Sequence, residues 1–294
     1  MKFNIAKQTT VENLLSEKFK GISKSRMKQI LKFKQITCNG VALDRMNQVL
    51  EAHSQVEVDF TKDPMVGKKV KPQFKLLWED KYMLAAVKPA GLLTVGKPNS
   101  RVPSFYSMVQ SFVRDNSKNR EQVFILHRLD REVSGIVLFA KSEEVQSIVK
   151  RHWRENVKLY RALVHGHVAQ DEGKMESYLM EDPVSLKMYS SQNAPQGKLA
   201  VTLYRKIKIV GENTLLEIKL QTGRKNQIRV HMSDMGHPIV GDRRYGADST
   251  YERQIRLCAY YHKFKHPITK KWVEIEAPLP LNFLKLQERD EDYK

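Results

Sequence analysis

The segment His127-Arg128-Leu129-Asp130-Arg131-Glu132 sets five ionisable side chains directly ahead of an apolar run at 136–140. Charge beside a strand that will be buried costs desolvation energy unless it is paired, so this placement marks a site. A carboxylate held there can act as a nucleophile or as a base. Residue type alone leaves Asp130 open, because a structural carboxylate paired with Arg128 or Arg131 reads equally well. Cys258, His262 and His266 have three residues between neighbours. A zinc site needs a further ligand and none stands nearby, so no metal is expected. His165-Gly166-His167 reads as strand and turn. The chain contains neither a phosphate-binding P-loop nor a Rossmann fingerprint.

Three more segments belong with the first. Lys88-Pro89-Ala90-Gly91 comes early, and Lys158-Leu159-Tyr160-Arg161-Ala162-Leu163-Val164 carries a tyrosine on a strand-like run. Thr222-Gly223-Arg224-Lys225-Asn226-Gln227-Ile228-Arg229-Val230-His231 leads on to Gly236-His237-Pro238-Ile239-Val240-Gly241-Asp242. In this order, over roughly residues 75–280, the four resemble the motifs of the RluA family of pseudouridine synthases, with H-R-L-D-x-x-x-S-G-x-x-x-x-A-K as the catalytic one. Two positions depart from the pattern. Val133 stands where the family usually has Thr, and Asn226 where it usually has His. The first bears on loop hydrogen bonding and the second on substrate contacts.

The resemblance implies a reaction and a set of roles. The bond between the sugar and uracil N1 breaks, the base turns, and carbon 5 takes its place. No redox change or donor group is involved, so no cofactor is expected. Asp130 is the implied catalytic carboxylate, as nucleophile or as base on a sugar proton. Arg229 is its implied partner, a guanidinium that favours the ionised form. Tyr160 lies against the uracil and relays the proton lost from carbon 5, and Ile228 packs near the base. Arg128 fills the space left when the nucleotide flips out, and Arg224 meets a phosphate. Read without the family, Tyr160 and Ile228 are core residues and Arg229 a surface helix residue.

The implied fold is α+β, a mixed and largely antiparallel sheet with the site in a central cleft and helices outside. Helical stripes are expected at Phe105, Met108, Val109 and Phe112 behind Ser104, and at Val145, Ile148, Val149 and His152 behind Ser142. Residues 214–220 read as a strand. The catalytic domain runs over 74–294, after a Lys-, Pro- and Gly-rich linker at 61–73. Residues 1–60 form a separate module. Val11, Leu14, Leu15 and Phe19 give one helix, and Met27, Ile30 and Leu31 a second. Asn39-Gly40 signals a tight hairpin, and Val56, Val58 and Phe60 alternate as a strand does. The pattern resembles the alpha-L RNA-binding domain. From Lys18 to Lys34 there are seven basic residues and no acid. Lys24, Lys28 and Lys32 share one helix face and, with Arg26, suit a phosphate backbone.

Lys plus Arg number 51 against 33 Asp plus Glu, a net charge of +18, which favours a polyanionic partner. Structured RNA is the expected one, with ribosomal RNA of the large subunit first and transfer RNA second. A non-catalytic RNA-binding assembly factor is the alternative. No aromatic anchor supports membrane binding by the basic helix, and no obligate protein partner is evident. With only Cys38 and Cys258, no apolar signal core and no apolar run near the roughly 20 residues a bilayer crossing needs, the expected location is the cytoplasm.

Overall fold

The computed structural model describes residues 1–19, 21–60, 73–96, 102–118, 120–193, 196–246 and 254–285. The chain divides into two compact units, Met1–Val70 and Lys71–Lys294. Apart from Gln73, the expected linker lies outside the described residues.

The first unit contains β1 (Lys2–Asn4), β2 (Thr9–Thr10), α1 (Val11–Lys18), α2 (Lys24–Lys32), β3 (Ile36–Cys38), β4 (Val41–Ala42), β5 (Val49–Leu50) and β6 (Gln55–Val58). Thr10 caps α1 by accepting from the Asn13 N–H, and Ser23 caps α2 by accepting from the Arg26 N–H. The apolar sides of the helices, Leu14, Leu15, Met27, Ile30 and Leu31, close over Ile36, Val56 and Val58. Asn39 (φ 49°) and Gly40 (φ 83°) are both left-handed, and Cys38 pairs with Val41, as a two-residue primed turn requires. Two pairings go beyond the sequence reading: β1 with β6, and β2 with β5. Strands of two or three residues carry too little periodicity to announce themselves. Lys24, Lys28 and Lys32 are exposed on α2. The acid missing from their neighbourhood in sequence is partly supplied from α1, where Glu12 lies 3.1 Å from the Lys24 ammonium. Arg26 is half-buried, its guanidinium 5.9 Å from the Phe60 ring centre.

The second unit contains β7 (Lys75–Glu79), β8 (Met83–Lys88), α3 (Phe105–Asn116), β9 (Phe124–Ile125), β10 (Ser134–Ala140), α4 (Glu143–Arg151), β11 (Val157–His165), β12 (Glu172–Glu181), β13 (Met188–Ser191), β14 (Lys198–Val210), β15 (Asn213–Leu220), α5 (Gln227–Asp234), β16 (Leu257–Lys265) and β17 (Trp272–Glu276). The sheet order is β13-β12-β14-β15-β11-β16-β10-β8-β7, with β17 also on β16 and β9 also on β10. The β10–β16 pair is parallel and every other pair is antiparallel. The class is α+β with a mixed, largely antiparallel sheet.

Every residue of β10 is buried because both faces of the sheet are covered there. Val137 and Phe139 face α3 and α5, while Ile136, Leu138 and Ala140 face α4 and β17. That explains an unbroken apolar run where a half-exposed strand would alternate. The capped helices form as expected. Ser104 and Ser107 make a reciprocal capping box at α3, and Ser142 accepts from the Val145 N–H at α4. His152 departs from its expected stripe: α4 ends at Arg151, and His152 turns outward to Glu155 at 2.8 Å. The parallel seam is short, Ser134 to Cys258 and Gly135 to Ala259. A Cβ at Gly135 (φ +126°) would come within 2.2 Å of the Ala259 carbonyl oxygen, so the close approach requires glycine.

Candidate active site

The loop ahead of β10 is stitched down from below. Lys88, at the end of β8, is fully buried, and its ammonium donates to the carbonyls of Pro89 (2.8 Å), Leu92 (2.8 Å) and Arg131 (3.1 Å). The Thr94 hydroxyl donates to the Leu129 carbonyl and accepts from the Leu129 N–H at 3.1 Å. The backbone of Leu93 and Thr94 in turn accepts from Phe105 and Tyr106 at the start of α3. His127 anchors the other end of the loop, its Nε2 accepting from the Leu138 N–H at 3.2 Å. Burial pushes His127 down to about 3 and Lys88 down to about 8, so the imidazole is neutral.

Asp130 projects from this loop into a cleft of about 650 Å³, within the range of small-molecule sites. Tyr160 reaches the same cleft from β11. On that strand Tyr160, Ala162 and Val164 face the side that α5 covers, while Leu159 and Leu163 face the other. A register shift between Leu159 and Tyr160 against β16 sets the tyrosine where the sheet bends. Ile228 and Arg229 come from α5, of which residues 227–232 are all buried. Arg128 and Arg224 are exposed on the cleft wall, and Arg224 Nε donates to the Leu199 carbonyl at 2.9 Å. Asp130, Tyr160, Arg229, Ile228, Arg128 and Arg224 are thus gathered on one cleft. Lys24, Arg26, Lys28 and Lys32 belong to the other unit.

Electrostatics qualify the expected pairing of Arg229 with Asp130. Arg229 is 6% exposed and forms a two-pronged pair with Asp242: Nε to Oδ2 at 2.7 Å and Nη2 to Oδ1 at 2.8 Å. Only Nη1 is left, at 3.3 Å from Glu132 and 3.8 Å from Asp130. A planar fork satisfies one carboxylate well, and here that carboxylate is Asp242, not Asp130. Asp130 therefore does not lie below the usual carboxylate range. Burial pushes it up, the Asn226 amide and Arg229 pull it down, and Glu132 and Asp242 push it up again, leaving it raised. Burial likewise raises the Tyr160 phenol well above its ordinary value, so it is neutral and can donate a proton.

Reading the sequence missed the immediate neighbours of the carboxylate. Asn226, expected to bear on substrate contacts, donates from Nδ2 to Asp130 Oδ2 at 2.5 Å. Tyr245, on no motif, donates to Asn226 Oδ1 at 3.2 Å. Asp242 lay inside the quoted G-H-P-I-V-G-D segment, and its carboxylate was the available signal for a partner to Arg229. Val133, which brings no side-chain hydroxyl to the loop, is 3% exposed and packed in the core, and its N–H donates to the Asp130 carbonyl at 3.2 Å. The cysteine and histidines of β16 and its turn scatter. Cys258 packs with Leu163 and Tyr260, His262 among the rings of His127 and Trp153, and His266 against Asp80 at 2.8 Å. Among the described residues no group of three or more His, Cys, Asp or Glu could hold a metal.

Residues 82–234 match the RNA pseudouridylate synthase family. A dual-specificity RNA pseudouridine synthase RluA of Pasteurella multocida is 34% identical over 220 residues, covering 70% of this chain and 94% of that one. A ribosomal large subunit pseudouridine synthase D of Haemophilus ducreyi is 27% identical over 305 residues, covering 95% and 90%. Among solved structures, human RNA pseudouridylate synthase domain containing 4 aligns with a TM-score of 0.60 at 22% identity, over 71% of this chain and 90% of that one, a likeness of fold. The chain belongs to the RNA pseudouridylate synthase family, on its RluA-type branch, and is an isomerase that turns uridine into pseudouridine in RNA.

Proposed function

We propose that Asp130 is the catalytic carboxylate of this isomerase, and that its substrate is a structured RNA, in the first place ribosomal RNA of the large subunit. The observation that carries the reading is the convergence of Asp130, Tyr160 and Arg229 on a single cleft. A stacked uridine must leave its helix to reach such a cleft. Arg128, exposed on the wall, fills the vacated stack, and Arg224 meets a phosphate. Tyr160 lies against the uracil with Ile228 beside it. Among the described residues nothing bonds Asp130 Oδ1, which leaves that oxygen for the ribose. The C1′–N1 bond breaks, the base turns and the C1′–C5 bond forms; carbon 5 then loses its proton in a relay in which the neutral Tyr160 hands on its own hydroxyl proton as it takes up the one from carbon 5, and N1 ends with a proton. Atoms and electrons balance within the nucleotide, so the step calls for no cofactor. Arg229 steadies the anionic cluster of Asp242, Glu132 and Asp130.

Lys24, Lys28 and Lys32, with Arg26, serve as a second contact to the RNA backbone, and tethering raises the local concentration of the catalytic unit. The ribosomal reading is supported by the relative from Haemophilus ducreyi, matched over 95% of this chain. The two free thiols, Cys38 and Cys258, fit a reducing compartment, and we place the enzyme in the cytoplasm. Transfer RNA is the second substrate reading. The test is incubation with total RNA from cells lacking the enzyme, with pseudouridines mapped beside an Asp130→Asn control. Sites made by the unaltered protein alone identify the substrate. Equal modification by Asp130→Asn removes Asp130 from the chemistry. RNA binding without new sites shifts the weight to a non-catalytic assembly factor.

A further inference from the structure

Asn226 stands directly ahead of α5, where an Asn ordinarily has extended backbone and accepts a hydrogen bond from the first helical turn. It does neither. Its backbone is left-handed (φ 54°, ψ 18°) and its side chain makes no cap bond. Asn tolerates that conformation better than most residues. The side chain instead enters the wall of the cleft, where the residue is 8% exposed, and Nδ2 donates to Asp130 Oδ2. The amide is not free to flip. The Tyr245 hydroxyl accepts from the Met188 N–H at 3.1 Å and has a single proton to give, which goes to Asn226 Oδ1 at 3.2 Å. With its carbonyl end occupied, Asn226 must present its NH₂ end to Asp130. Tyr245 is itself 3% exposed, with the Arg229 guanidinium 5.1 Å from its ring centre. The string runs one way, from the backbone of β13 through a phenol and an amide to the carboxylate.

We propose that Asn226 is a positioning residue: held by Tyr245, it fixes Asp130 Oδ2 so that Oδ1 is left for the ribose. This rests on Asp130 as the catalytic carboxylate. Arg229 cannot do the same work, because its fork is engaged by Asp242 and its remaining nitrogen stands 3.8 Å from Asp130. The ionisable groups around Asp130 pull both ways. Arg229 from α5 and Lys88 from β8 favour its charge, Glu132 and Asp242 oppose it, and the phenols of Tyr160 and Tyr245 are neutral. Asn226 does not titrate, so its bond is offered at every pH.

The test follows the Asp130 carboxyl by NMR in the full-length enzyme carrying ¹³Cγ-aspartate, its signal assigned by its loss in Asp130→Asn. Glycine accepts positive φ without strain, so Asn226→Gly removes the donor and spares the backbone. Its Asp130 titration is expected to move up by about one to two pH units, the size of a hydrogen bond to a charged group. Tyr245→Phe moves it less. Asn226→His, whose ring N–H can donate from the same place, brings it back to the wild-type midpoint or below. The acid limb of the single-turnover rate on total unmodified RNA follows these shifts. An unmoved titration in folded Asn226→Gly overturns the proposal, even if turnover falls, because the role is then only structural. Should that variant not fold, an unmoved titration in Tyr245→Phe overturns it equally. The NMR readout needs no RNA, so its failure is distinct from a failure of Asp130→Asn to abolish modification.

Discussion

Asp130 and Glu217 are both carboxylates set beside arginines in the second unit, and their surroundings treat them in opposite ways. Glu217, on β15, accepts from Arg161 and Arg205 at 2.7 Å each and from the Tyr260 hydroxyl. Burial pushes it up, but the bonds from Tyr260 and Arg205 and the charge of Arg161 win, and it ends below the usual range. Among the described residues Asp130 has one hydrogen bond, from Asn226, and a more distant Arg229, against two like charges, so burial prevails and it ends above its usual range. A carboxylate that serves the fold has its lone pairs filled. One that serves chemistry keeps an oxygen open and destabilises the fold for it. Counting arginines does not distinguish the two. Counting satisfied oxygens does.

Activity should break the comparison most sharply. Asp130→Asn is expected to lower turnover by at least about 10³-fold, while Glu217→Gln leaves it within about threefold, both read as pseudouridine formed per enzyme. Equal losses would show that the two carboxylates belong to one system. Next in size is the pair that frees Asp130 from Arg229. Asp242→Ala leaves a buried guanidinium without its partner, and should cost about 3–5 kcal/mol in chemical denaturation.

Stability then separates the two carboxylates by sign. Glu217 has a folded pKa below its unfolded value, so its contribution is present above the ordinary range near 4.5 and is lost as pH falls through the folded value. Glu217→Gln should cost about 2 kcal/mol at pH 7 and progressively less as pH falls below the ordinary range near 4.5. Asp130 has a folded pKa above its unfolded value. Its ionised form opposes folding above that folded value, and the penalty fades as pH falls from there towards the ordinary range near 3.8, below which it is absent. Asp130→Asn should therefore stabilise the protein at pH 8, with the gain gone once pH is below the ordinary range near 3.8. Melting followed across this pH range checks both signs. For the same reason the acid limb of the rate profile should lie above the ordinary aspartate range.

Much of the scaffold was legible before any coordinates. Ser104 and Ser142 announced α3 and α4, Asn39-Gly40 announced a hairpin, and the run at 136–140 announced a buried strand, because caps, turns and periodicity are local properties. The cleft residues could be named because Asp130, Tyr160 and Arg229 sit in ordered motifs. What escaped were bonds closed across the fold. Asn226 and Asp130 are 96 positions apart, and Lys88 reaches Arg131 over 43. His152 escaped for a smaller reason, a helix ending one residue before the stripe did.

The sequence by itself determined which elements form and which side chains are present to do chemistry, since both depend on residue type and short spacing. Only the tertiary structure decided how the charges are shared. Arg229 could have faced Asp130 or Asp242, and the turn after α5 brought Asp242 onto its fork at 2.7 and 2.8 Å. Electrostatic energy depends on distance and on exclusion of water, and neither is set until distant segments pack. Among the described residues, that packing left Asp130 with a hydrogen bond on one oxygen and none on the other.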